Sequence, residues 1–367
     1  MNKLKERINV QYIGTLVASI LIALLIGGLL MTVTGFNPFE AYGAMIEGSL
    51  GSPRFIGNTL ERAMLLCLLG LATAIGAKGG LFNVGGEGQL FFGALAATMI
   101  GLWFSNLPTI VVIILAFISA VIVGGFYAWI PAMLKVKLGV SEVITTIMLN
   151  TVAIKVCTYL VNGPWNAPSK AIAKGTDYLA TDLRFAKLID ASNLTSGFIG
   201  GAVVAFLIWY VMKMTSTGLQ IKVTGENERF ARFAGLPSSK LMIGSMVASG
   251  AICGFVGMFL VYGSQGHMTE AVSNEFYFDG MLVAMIMNYN PIGIIIMSFF
   301  FAIMSMGAAY MDMMIGVSTQ IYDIIFSIII FLMAAEKGIT AWLENRKLQK
   351  EARKELKANV GTDSRTV

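Results

Sequence analysis

The sequence predicts an all-α, polytopic membrane protein with about ten transmembrane helices, some of them short or broken. Two observations carry that prediction. Of the 367 residues, 56% are hydrophobic and only 13% are charged, against about 25% charged in an ordinary soluble domain. Residues 8–39, 89–134, 191–212, 241–266 and 280–311 also contain no Asp, Glu, Lys or Arg. About 20 apolar residues in a helix cross the hydrocarbon core of a bilayer, and a soluble core has no room to bury so many such runs.

Hydropathy places the spans at 12–34, 57–77, 83–103, 108–131, 141–160, 195–213, 240–262, 279–290, 292–309 and 320–335. The apolar stretch 13–33 is too long for a signal peptide and has no small-x-small cleavage site, so it is expected to remain as the first span. The fifth span carries Glu142 near its start and Lys155 near its end, where both side chains can reach the interface. The eighth is too short for a full crossing unless it is tilted, broken or extended, and the tenth is short as well. Residues 1–335 thus form a transmembrane domain. The charged tail, 336–367, reads as a helix over 341–356 followed by a fraying end. Cys67, Cys157 and Cys253 all lie in apolar segments without metal-ligand spacing and read as buried, inert thiols.

Basic residues set the expected orientation. Lys3, Lys5 and Arg7 precede the first span, and Lys135 and Lys137 follow the fourth. Lys213, Lys222, Arg229, Arg232 and Lys240 lie between the sixth and seventh, and a further cluster follows the tenth. With ten spans all four groups fall on one side, which is the cytoplasm. Both termini are then cytoplasmic, and 35–56, 161–194 and 263–278 face outward. The formal net charge of +5 is read as this topology signal and not as a nucleic-acid surface.

Four local features go beyond hydropathy. Residues 79–88 hold five glycines in ten positions at the mouth of the third span, which weakens a regular helix. Asn83, Glu87 and Gln89 there would be costly against lipid. A broken helix lining a polar path accounts for both; the plainer reading is a glycine-rich turn with Glu87 in headgroup water. In the fifth span Thr145, Thr146 and Asn150 share nearly one face, to bond between helices or to line a cavity. Within 218–240 a short helix is expected over 227–234. Thr224 or Asn227 would cap it, Glu228 and Arg232 stand at i,i+4, and Gly235 and Pro237 would end it. Its Phe230 and Phe233 either form a docking knob for another protein or tuck beneath the spans. Finally, polar residues bracket the short eighth span, which marks it either as discontinuous or as ordinarily ended.

No phosphate-binding loop, metal-ligand set or nucleophile–base pair is present. The chain is therefore not expected to catalyse a reaction or to bind a cofactor itself.

In this setting Leu81-Phe82-Asn83-Val84-Gly85-Gly86-Glu87-Gly88-Gln89, followed by Gly93-Ala94, resembles the signature of a known family. Gly225-Glu226-Asn227 with Ala231-Arg232-Phe233-Ala234-Gly235-Leu236 resembles its cytoplasmic loop. Glu142 to Asn150 and Phe278-Asp279-Gly280 with Val283-Ala284 resemble two further blocks. The family is the permease subunit of bacterial ABC importers of the simple-sugar and nucleoside branch, and the chain is most similar to its nucleoside-type members. Phe230 stands where many relatives have Ala and Phe233 where they have Tyr; both keep the face apolar.

The resemblance implies a transmembrane permease that imports a small polar substrate by alternating access, with nucleosides first and sugars such as ribose or galactose second. It implies three protein partners in the bacterial plasma membrane: a cytoplasmic ATPase that holds ATP and Mg, a second and different permease chain, and an extracytoplasmic substrate-binding protein. Asn83, Glu87, Gln89, Thr145, Thr146 and Asn150 would line or support the path. Asn227, Phe230, Arg232, Phe233 and Gly235 would form the coupling element for the ATPase. The competing class is an ion-coupled secondary transporter, which would need ionisable coupling sites within the spans.

Overall fold

The computed structural model describes residues 2–167, 174–333, 335 and 346. Apart from Arg346, the expected helix over 341–356 and the rest of the 336–367 tail lie outside the described residues. The chain is helical, and among the described residues extended pairing is confined to two isolated bridges, Gly175 with Thr269 and Lys187 with Thr195. The helices are α1 (Asn2–Val33), α2 (Pro38–Leu50), α3 (Pro53–Lys78), α4 (Gly86–Trp103), α5 (Thr109–Leu138), α6 (Glu142–Asn162), α7 (Gly197–Met214), α8 (Ser216–Glu226), α9 (Glu228–Phe233), α10 (Ser238–Leu260), α11 (Phe276–Ile286), α12 (Pro291–Ile315) and α13 (Gln320–Met333). A single π turn, Val261–Gln265, extends α10.

Each of the ten expected spans coincides with a helix. Seven are long and apolar enough to cross a membrane: α1 from Gly14, α3, α5, α6, α7, α10 with its π turn, and α12. The helices α4, α11 and α13 are shorter or less apolar.

Three expectations are corrected. The outward-facing loop expected over 35–56 contains a helix, α2. The 218–240 loop is largely helical: α8 fills its first part, held by the Thr215 side chain, which accepts from the Gly218 N–H. The eighth span runs Phe276–Ile286 and not 279–290. It ends because Asn288 and Tyr289 both take left-handed backbone angles, with φ of +50° and +58°. Such angles stop a helix and are uncommon for a residue as bulky as Tyr. Pro291 then opens α12, where its missing N–H costs nothing.

The chain forms two compact units. One is drawn from both ends of the chain and includes all of α1 and α13. In it Gly27 lies directly against Ile325, and the Tyr42 hydroxyl donates to the Leu24 carbonyl at 2.5 Å. The other unit, Gly43–Tyr310, carries every candidate site residue. Its α4 packs against α5, α6 and α10, and its α3 against α7, α10 and α11. Small residues permit this: a side chain on Gly254 of α10 would run into the backbone of Ala120 and Gly124 on α5. Membrane helices without a hydrophobic driving force between them associate through such close approaches. Ser52 and Pro53 start α3, with the Ser52 hydroxyl accepting from the Phe55 N–H at 3.3 Å. Glu142 at the start of α6 pairs with Lys135 at the end of α5, 2.8 Å away.

Candidate functional site

Between Lys78 and Gly86 the chain leaves helical geometry while still enclosed by α3, α6 and α10, and most of residues 79–85 are buried. Backbone groups freed inside an apolar environment must find partners, and side chains supply them here. Asn83 is the hub. Its Nδ2 donates to Gln89 Oε1 at 2.8 Å and to Ser249 Oγ at 2.9 Å. Its Oδ1 accepts from the Gly85 N–H at 2.9 Å and from Gln89 Nε2 at 3.1 Å. From α6, Asn150 reaches the same segment: Nδ2 donates to the Val84 carbonyl and Oδ1 accepts from the Gly88 N–H, each at 2.8 Å. From α11, the Tyr277 hydroxyl donates to the Asn83 carbonyl, and Thr73 of α3 stands 3.2 Å from that hydroxyl. Four helices are thereby tied to one non-helical strip.

Glu87 is also buried, which excludes the turn in headgroup water. Its Oε2 accepts from the Tyr277 N–H at 3.3 Å, near the start of α11, where a helix presents unpaired amides and partial positive charge. Glycine is required beside it, because a side chain on Gly86 would occupy the space of the Tyr277 ring.

Asn83, Glu87, Gln89 and Asn150 thus come together, and each is partnered within the chain. Thr145 and Thr146 do not join them. Their hydroxyls bond back to α6 carbonyls, Thr145 to Ser141 and Glu142, and Thr146 to Glu142 and Val143. Thr146 is nonetheless buried against the Gly85 turn.

The second site is α9. Asn227 is its cap, with Oδ1 accepting from the Phe230 N–H at 3.0 Å, whereas Thr224 bonds back within α8 to the Gln220 carbonyl. Arg232 pairs with Glu228 at 2.5 Å and donates to Ser238 Oγ at 3.1 Å, which fastens α9 to the start of α10. Gly235 ends the element with φ of +78°. The two rings point away from the protein: Phe233 is 93% exposed and Phe230 60%. The alternative in which they tuck beneath the spans is therefore excluded. Behind them, Gly225 of α8 lies so close to Lys78 and Gly80 that a Cβ would meet their backbone. The two sites share this contact.

Sequence reasoning missed Tyr277, Ser249 and Thr73 as members of the network. It also missed the pair Arg62–Asp279 at 2.9 Å, which joins α3 to α11 with the guanidinium 3.9 Å from the Phe276 ring. One signal was legible, since Arg62 and Asp279 are opposite charges within apolar spans. Among the described residues no group of His, Cys, Asp or Glu could hold a metal ion. His267 packs its ring on Tyr178, 4.4 Å between centroids.

A polytopic helical protein with a broken helix at its centre and an exposed aromatic helix between two spans has the form of a transporter's membrane subunit. The chain belongs to the family described as the branched-chain amino acid transport system / permease component, whose model matches residues 55–334, and it is the permease subunit of an ABC importer. It is 31% identical over 337 residues to the nucleoside ABC transporter permease protein NupB of Lactococcus lactis subsp. cremoris, covering 90% of this chain and 92% of that protein. It is 30% identical to the guanosine ABC transporter permease protein NupP of Bacillus subtilis over 88% of this chain and 92% of that one. The glucose ABC transporter permease protein TsgB13 of Haloferax volcanii is 31% identical, over 88% and 87%. No solved structure matches the chain. Membership in this family overturns the ion-coupled secondary transporter.

Proposed function

We propose that this permease carries nucleosides across the plasma membrane of a bacterium, driven by a separate ATPase. Two relatives named for nucleoside and guanosine transport, each matched along about nine-tenths of both chains, carry the reading. The ATPase, which holds ATP and Mg, docks on Phe230 and Phe233, with Asn227, Arg232 and Gly235 setting the pose of α9. Bare aromatic side chains on a rigid helix suit a protein interface. A second, different permease chain completes the path, and an extracytoplasmic binding protein delivers the solute. Both termini face the cytoplasm, a reading supported by the distribution of Lys and Arg.

Asn83, Glu87, Gln89 and Asn150 support the path by holding the broken segment in place, and Thr145 and Thr146 shape the α6 surface beside it. Movement of α9 reaches that segment through the contact of Gly225 with Lys78 and Gly80. The second reading, a simple-sugar permease, is favoured by the similarity to the glucose permease of Haloferax volcanii.

Uptake of labelled guanosine, adenosine, cytidine, uridine, ribose and glucose into liposomes holding the full transporter separates the two. Saturable, ATP-dependent nucleoside uptake is the expected result. Sugar uptake without nucleoside uptake would overturn the substrate assignment and keep the permease.

A further inference from the structure

Asn83, Gln89 and Asn150 are enclosed and partnered within the chain, so the solute does not meet them in this conformation. The exposed faces of the spans show where it does. On α5 that face carries Ile110, Ile114, Ile118 and Ile122, and on α7 Ile199, Val203 and Phe206. Such apolar faces suit lipid.

The uncovered side of α6 also carries exposed apolar residues, among them Ile144, Ile147, Val152 and Val156, but a polar stripe runs beside them. Thr151, Lys155, Thr158 and Asn162 recur at i, i+4, i+7 and i+11, which aligns them in one stripe. Thr151 and Lys155 are exposed, with Met148 and Tyr159 flanking them. Lys155 is in no ion pair among the described residues. Only Asn162, at the end of the stripe, has a polar side-chain partner, Glu270 at 2.9 Å. The Thr151 hydroxyl merely leans back to the Ile147 carbonyl at 3.5 Å. At 1.5 Å per residue the stripe covers about 16 Å of the span. A lysine near the end of a span can stretch to the headgroups, but a threonine deeper in the same stripe has no such reach. Ionisable and polar groups at membrane depth face protein or water.

We infer that the Thr151–Lys155 stripe of α6 lines the aqueous path, where the Lys155 ammonium and the threonine hydroxyls offer hydrogen bonds to the hydroxyl and carbonyl oxygens of a neutral polar solute. This rests on the reading of the chain as one half of a transport path. The buried side of the same helix carries Asn150, bound to the broken segment, so α6 joins the path surface to the element that α9 displaces.

The test is thiol accessibility in the complete transporter in membrane vesicles. Thr151→Cys and Lys155→Cys are compared with the lipid-face controls Ile118→Cys and Val203→Cys, using a charged, membrane-impermeant thiol reagent applied from either side. The native Cys67, Cys157 and Cys253 are buried, and the unaltered protein gives the background. Co-purification of the ATPase shows that each variant is assembled. The expected result is labelling of the stripe about tenfold faster than of the controls, slowed by an excess of guanosine, uridine and glucose together. Labelling as slow as the controls would overturn the inference and place the stripe against lipid or a sealed subunit contact. Fast labelling that no carried solute slows would also overturn it. The rates decide whether the stripe is wet even if the uptake assay finds no nucleoside transport, so the two readings fail separately.

Discussion

The strip at residues 79–85 and the helix α9 are linked through Gly225 of α8, yet they solve opposite problems. In the strip, helix-breaking glycines free backbone groups in an apolar setting, and Asn83, Asn150 and Tyr277 satisfy them from inside the chain. In α9 the backbone is capped and pinned locally, while the two largest side chains are left bare. A closed polar network makes a joint of fixed shape, since leaving any member unpartnered is costly. Bare aromatic side chains on a short, pinned helix await a partner. Substitutions in the first region should therefore act on stability, and those in the second on assembly.

The largest effect is expected from Asn83→Leu, which strands the Gly85 N–H, the Gln89 amide and Ser249. At about 1–3 kcal/mol for each stranded buried group, thermal unfolding of the purified permease should show a loss of about 3 kcal/mol or more. An unchanged melting temperature would mean that the network contributes little. Gly86→Ala should follow, at about 1–3 kcal/mol for overpacking, because its methyl group meets the Tyr277 ring; the same melt reads it out. Phe233→Asp crosses to the other side of the comparison. It should leave the melt unchanged and weaken ATPase binding by about 2 kcal/mol, the scale of an aromatic hot spot. Asn227→Ala sharpens the contrast. It removes the α9 cap for about 1 kcal/mol, so a titration with ATPase should show binding about fivefold weaker. The smallest effect belongs to Glu228→Gln, since an exposed i,i+4 pair contributes about 0.5 kcal/mol or less.

The two regions were unequally legible in the sequence. For α9, local chemistry sufficed: Asn227, the Glu228–Arg232 spacing and Gly235 specify cap, rim and stop within nine residues. Which way Phe230 and Phe233 point was open, because it depends on packing against helices distant in sequence. In the strip, glycine density and polar residues at Asn83, Glu87 and Gln89 announced a break. The partners that close the network come from positions 73, 150, 249 and 277, and only Asn150 stood out beforehand. Tyr277 did not stand out, since nothing local says that its hydroxyl meets a carbonyl 194 residues away. The helices α2 and α8 were missed because neither carries a long apolar run, and hydropathy responds to little else.

The most direct measurement compares Asn83→Leu and Phe233→Asp in one preparation, recording thermal stability and ATPase binding for each. The prediction is a crossed result: Asn83→Leu melts lower while its folded fraction still binds the ATPase, and Phe233→Asp melts as the unaltered protein does but binds the ATPase about thirtyfold more weakly. If Phe233→Asp retained full ATPase binding, α9 would not be the docking element, and the proposed division of labour between the two regions would be wrong.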